Sequence, residues 1–182
     1  MNKLLVNFFR LAIIAVLLVQ PVVARSVVVA HSIFGVVTHV SDGDTLWVRP
    51  TGGGDALNVR IQGIDAPESC QDYGHNARQA LSRHVLHKSV TLVTKARDKY
   101  GRVIANVSLG NQDVAAWMVA NGHAWSHHAS RNHSSRSAGL YARQEMAARQ
   151  AGRGLWGHAY PIEPRDFRKL TKCHKQSKSW RG

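Results

Sequence analysis

Acidic residues are scarce in this chain. Its 11 Asp and Glu stand against 24 Lys and Arg, for a formal charge of +13. An acidic partner is therefore expected, either nucleic acid or an anionic membrane surface. Residues 1–24 carry Lys3 and Arg10 and no acid, so the excess belongs to the remainder. Cysteine is nearly absent, with only Cys70 and Cys173. Two positions so far apart do not read as a zinc site. Long apolar runs are also missing. Leu11 to Val19 is unbroken but too short to span a bilayer. No strongly basic amphipathic helix stands out, which makes a membrane-surface role a distant reading.

The N-terminus reads as a secretory signal. Lys3 and Arg10 supply positive charge, Leu11 to Val19 the apolar segment, and Pro21 breaks it. Val22-Val23-Ala24 places small residues for cleavage after Ala24, and Val28-Val29-Ala30 is a second position. An uncleaved anchor is the competing reading, weakened by Gln20, Pro21 and Arg25. The chain then divides into a signal peptide (1–24), one domain (25–162) and a basic C-terminal tail (163–182). The expected location is secreted or periplasmic, without stable membrane association after cleavage. An oxidising compartment favours a Cys70–Cys173 disulfide over two free thiols. That bond would tie the loop after Glu68 to the tail, and a loop of this size contributes up to about 4–5 kcal/mol in the chain-entropy model.

Strand signals fall at Gly35–Val40, Thr45–Arg49, Leu57–Ile64, Ser89–Ala96 and Val103–Leu109. Gly52-Gly53-Gly54-Asp55 supplies a hairpin loop, and Lys99-Tyr100-Gly101 another turn. Val59 and Ile61 share one face and Arg60 points to the other. Three helices fit the rest. Gly74–His87 places Ala77, Ala80, Leu81 and Val85 on one stripe. Asp113 caps a short helix bearing Val114, Trp117 and Met118, ended by Asn121-Gly122. A third runs from Ser137 to Ala151 with Leu140, Ala147, Ala148 and Ala151 inward. Trp156 is expected to pack back on the body. The predicted class is α+β, mainly β: a five-stranded Greek-key barrel of the OB type with three helices.

The few acids are not scattered. Asp42, Asp44, Asp65 and Glu68 lie at strand ends beside basic residues. Without a cation they would repel one another. Asp44 and Asp65 are candidate side-chain ligands for a hard cation, with a backbone carbonyl near Ala66 as a third. Taken singly, Asp42-Gly43-Asp44 would read as a plain turn and Asp65-Ala66-Pro67-Glu68 as a helix start. A metal, two arginines and a carboxylate base together make a phosphodiesterase site.

Three segments in order resemble the staphylococcal nuclease (thermonuclease) family. They are Asp42-Gly43-Asp44-Thr45, Val59-Arg60-Ile61-Gln62-Gly63-Ile64-Asp65-Ala66-Pro67-Glu68 and Asp98-Lys99-Tyr100-Gly101-Arg102. Asn121-Gly122-His123-Ala124 and Gly154-Leu155-Trp156 look like its weaker C-terminal signatures. The resemblance covers roughly residues 34–160, and three motifs in register are specific where one would be weak. It implies Ca²⁺ on Asp44, Asp65 and the Ala66 carbonyl, with Asp42 beside that site. It implies Glu68 as the carboxylate acting on the attacking water, and Arg60 and Arg102 as the phosphate arginines. Lys99 and Tyr100 match positions that contact a neighbouring phosphate. The implied activity is calcium-dependent endonucleolytic hydrolysis of DNA and RNA by a monomer, leaving 3′-phosphate products.

One stretch departs from the family pattern. Tyrosines that help pack a nucleotide are replaced by Gly122-His123-Ala124-Trp125-Ser126-His127-His128. Trp125 or His128 is expected to take over base stacking. His123, His127, His128 and His133 also suggest a zinc or copper site, but a solvated basic loop is the favoured reading, since no cysteine or patterned acid accompanies them. A second functional class stays open: an exported OB-type module that binds single strands without cutting. Four acids that repel phosphate add nothing to binding, so they argue for chemistry.

Overall fold

The computed structural model describes residues 32–127, 135–171 and 173. The signal segment, His128, His133 and the last nine residues of the tail lie outside that range. Among the described residues eight strands are formed: β1 (Ser32–Asp42), β2 (Thr45–Pro50), β3 (Leu57–Ile61), β4 (Ile64–Asp65), β5 (Ser89–Arg97), β6 (Val103–Leu109), β7 (Gln112–Asp113) and β8 (Trp125–Ser126). Helices are α1 (Gly74–Val85), α2 (Val114–Ala120), α3 (Ser135–Gln150) and α4 (Pro164–Leu170), with a 3₁₀ turn at Gly154–Gly157.

The barrel follows from strand order. β3, β2, β1, β5 and β6 pair in that sequence, antiparallel throughout. A parallel ladder between β3 and β6 then closes the ring, with Val59 opposite Val103. Closure leaves these five strands no open edge among themselves. Alternation sends Val37, Leu46, Val48, Val59, Leu92 and Val107 fully inside. Leu81 and Val85 of α1 and Met118 of α2 join them in one core. The five-stranded OB-type barrel expected from the sequence is therefore present.

Three details differ from expectation. The third strand stops at Ile61. Gly63 adopts φ 85°, a left-handed backbone that turns the chain, so Ile64–Asp65 forms its own short strand against β8. In α3, Leu140 and Ala147 are exposed, as is Ala151 just beyond its end, and the inward stripe is Tyr141, Glu145 and Ala148. Polar groups face inward there because they have partners. Tyr141 Oη donates to Asp113 Oδ2 at 2.5 Å, and Glu145 Oε2 accepts from Ser126 N at 2.7 Å and Ser126 Oγ at 2.6 Å. Finally, the stretch read as a basic tail contains a fourth helix, α4. Its first residue, Pro164, is buried and suits a helix start, where no intrahelical N–H is needed.

Asp113 caps α2 as expected, accepting from Ala115 N and Ala116 N. Trp156 packs back on the body, edge-on to Trp125 with ring centroids 5.0 Å apart. No described helix is long and apolar enough to cross a membrane.

Candidate active site

The β1–β2 turn delivers Asp42 and Asp44. Gly43 lies between them because a side chain there would press on Ala66 Cβ (2.6 Å) and Ala77 Cβ (2.9 Å). The absence of a side chain lets the turn seat against the loop that carries Asp65, Ala66 and Glu68. Asp44 Oδ2 accepts from Ala66 N at 2.8 Å, and Asp44 Oδ1 from Thr45 Oγ1 at 3.0 Å. Asp42 Oδ1 accepts from Asp44 N at 3.1 Å, so Asp42 shapes the turn.

Barrel closure sets the arginines. Val59 and Val103 are paired across β3 and β6, so their neighbours Arg60 and Arg102 come to one side of the closing seam. Arg60 points away from the core. Its Nη1 lies 2.7 Å from Asp44 Oδ2 and its Nη2 2.8 Å from Asp65 Oδ1. Nη1 also donates to Ile64 O at 3.0 Å. Arg102 Nε donates to Asp98 Oδ2 at 2.7 Å, while Asp98 Oδ1 accepts from the N–H groups of Tyr100 and Arg102. Slight burial works against ionisation of Asp98, but those bonds, led by the Arg102 side chain, outweigh it and hold its carboxyl below the usual range.

These groups share one cleft of about 560 Å³, room for a nucleotide-sized group. Asp42, Asp44, Arg60, Asp65, Ala66, Glu68, Tyr100 and Arg102 all line it. Lys99 is not among its lining residues, and its Nζ sits 5.1 Å from the Tyr100 ring centre instead. Tyr100 is 72% exposed, and the Arg102 guanidinium also lies over its ring, 5.7 Å from the ring centre. Trp125 does not take the stacking role expected for it. It is buried and packed on Trp156, because β8 needs an apolar inward residue. His123 is part-buried rather than in a solvated loop, with Tyr73 Oη 2.9 Å from its Nδ1.

The electrostatics suit a hard cation. Burial pushes the Asp44 carboxyl up to about 8, with Arg60 pulling it down and Asp42 adding to the push. A divalent cation beside this buried carboxyl would favour its ionised form. The available donors are oxygens, as calcium prefers. Among the described residues no three His, Cys, Asp or Glu side chains converge as a cage. Asp44 and Asp65 are the buried side-chain oxygens of the cleft that could hold a cation, and Ala66 lines it beside them.

Sequence reasoning missed three contributors. Arg168 of α4 reaches into the cleft and pairs with Asp65 and Glu68. Gln71 accepts from Glu68 N at 3.1 Å through Oε1 and donates from Nε2 to Ile162 O at 2.7 Å. It thereby fastens the base loop to the C-terminal segment. Glu145 holds β8, which pairs with the strand bearing Asp65. The Cys70–Cys173 bond is formed, with Cα atoms 5.7 Å apart.

Comparison with known proteins points the same way. A family model described as staphylococcal nuclease homologue matches residues 58–158. An uncharacterized endonuclease of Haemophilus influenzae is 37% identical over 138 residues, which cover 76% of this chain and 74% of the relative. An uncharacterized endonuclease of Escherichia coli is 34% identical over 138 residues, 75% of this chain and 86% of the relative. A probable staphylococcal-like nuclease of Oryza sativa subsp. japonica is 36% identical over 118 residues, 65% of this chain but only 31% of the plant protein. The chain belongs to the staphylococcal nuclease family.

Proposed function

We propose that this protein is an exported, calcium-dependent endonuclease that hydrolyses phosphodiester bonds of DNA and RNA. The observation that supports it best is the convergence of Asp44, Asp65, Glu68, Arg60 and Arg102 on one cleft. Calcium held by Asp44, Asp65 and the Ala66 carbonyl would polarise the scissile phosphate when bound. Glu68 lies at the cleft rim, with its side chain 32% exposed, where it can accept a proton from an incoming water. Phosphodiester hydrolysis builds negative charge on the phosphoryl oxygens. Arg102 opposes that charge with a planar fork that suits two oxygens at once, and Arg60 adds its positive charge from its place beside Asp44 and Asp65. Asp98 fixes the Arg102 fork before substrate arrives, which lowers the ordering needed in the transition state. Tyr100, exposed at the cleft, is placed to contact a neighbouring phosphate, as its match to the family implies. The disulfide supports an oxidising location and so agrees with export.

The four carboxylates separate this reading from a strand-binding module, since they only weaken affinity for phosphate. A closed circular plasmid tests it, because it offers no ends. Nicking and linearisation in calcium, stopped by chelator, is the expected result. Degradation of linear DNA with the circle left intact would exclude endonuclease action. Binding without cutting would favour the module.

A further inference from the structure

The cleft contains a cation that neither the motifs nor the family match assigns. Arg168 Nη2 lies 2.8 Å from Asp65 Oδ2, and its Nη1 lies 3.2 Å from Asp65 Oδ1 and 2.7 Å from Glu68 Oε1. Arg60 Nη2 already sits on Asp65 Oδ1. Both oxygens of Asp65 are thus engaged by guanidinium groups. Any divalent cation that takes Asp65 as a ligand has to compete with one of them.

Arg60 is poorly suited to leave. Its side chain is 19% exposed and is anchored by the Ile61 and Ile64 carbonyls. Arg168, by contrast, is 45% exposed. Water therefore reaches the Arg168 guanidinium but not its partner Asp65, whose side chain is 6% exposed, so of the two arginines Arg168 is the one that can be released to solvent. Its segment is nonetheless held close. Gln71 grips Ile162, Pro164 is buried, and Cys173 is bonded to Cys70, two residues beyond Glu68. Tethering keeps the local concentration of this guanidinium high, so it returns whenever the site empties.

We propose that Arg168 is a tethered counter-cation of the active centre, holding Asp65 and Glu68 together and giving way when a divalent cation binds Asp65. Arg168 is then a positioning residue that sets how much calcium the enzyme needs. The proposal rests on the metal assignment made under the proposed function.

Calcium titration calorimetry on the purified protein, disulfide intact, tests it beside Arg168→Gln, Arg168→Lys and Lys169→Gln. Lys169 pairs with Asp166 on the same helix and does not touch the cleft, so it controls for net charge. Arg168→Gln should bind calcium roughly three- to tenfold more tightly, with Arg168→Lys between it and the wild type. The calcium giving half-maximal DNA hydrolysis should fall by the same factor. Lys169→Gln should leave both values near wild type. Equal or weaker calcium affinity in Arg168→Gln would overturn the proposal, as would an equal gain in Lys169→Gln or no calcium binding by any variant. The nuclease reading is judged separately, by whether the wild type cuts DNA in saturating calcium.

Discussion

Arg102 shows how one residue gains a function from its neighbours. Asp98 Oδ2 holds its Nε, and Thr45 Oγ1 lies 3.5 Å from its Nη1. The guanidinium is therefore aimed before substrate binds. A lysine in its place would keep the charge and lose the fork. We expect Arg102→Lys to lower kcat by about 10²–10³ while leaving Tm within a few degrees. Steady-state kinetics with a thermal melt would check it, and an unchanged kcat would remove Arg102 from the transition state. Asp42, Asp44, Asp65, Glu68 and Arg102 were legible in the sequence because each sits in a short motif with its own turn chemistry. Arg168 was not. Its partners lie 100 and 103 positions away, and nothing local distinguishes it from other cations of the basic C-terminal stretch.

Elements carry those residues into register. The barrel strands could be read from β-branched alternation, since burial of one face imposes a period of two. Helix α3 and its inward Ala148 were expected, but the rest of its buried face was misread because that face is partly polar, and an apolar stripe is the wrong signal for it. Glu145 there accepts from Ser126 N and Ser126 Oγ and pairs with Arg149 at 2.7 Å. Its removal takes away both buried bonds to Ser126, and we expect Glu145→Ala to cost about 1–3 kcal/mol in urea unfolding. Because β8 backs the strand bearing Asp65, kcat should fall as well. A loss of stability with full kcat would show that α3 does not support the site.

The α1–α2 contact carries a pH dependence. His84 stacks on Trp117 with centroids 3.9 Å apart, and His123 meets Tyr73. Burial holds both imidazoles below their ordinary value of 6.5, and Lys88 adds to this at His84 while a Gln112 bond opposes it. The folded protein then binds fewer protons than the unfolded chain just below that value. Stability from these rings is full above it and is lost as pH falls toward the depressed folded values. Tm should drop between about pH 7.5 and pH 5, and the drop should be smaller in His123→Gln. Equal drops in both proteins would remove His123 from the account.

At the scale of the whole molecule, charge and topology divide the work. The +13 balance suits a polyanionic partner, while Asp42, Asp44, Asp65 and Glu68 gather in one cleft. Closure of β3 onto β6 is the long-range event that brings Arg60 beside Arg102, and only the chain fold could show it. The length and the strand-helix order were enough to expect one small barrel. The C-terminal strap was not legible, because a seven-residue helix held by a disulfide and one glutamine has almost no periodicity of its own.

The most direct test of the central claim is hydrolysis of single-stranded DNA by the purified protein, in calcium and then in excess chelator, beside Glu68→Gln. The predicted result is cutting that needs calcium and falls by about 10²–10⁴ in the variant. Cutting that persists in chelator, or a variant as active as wild type, would contradict the assignment of Asp44, Asp65 and Glu68.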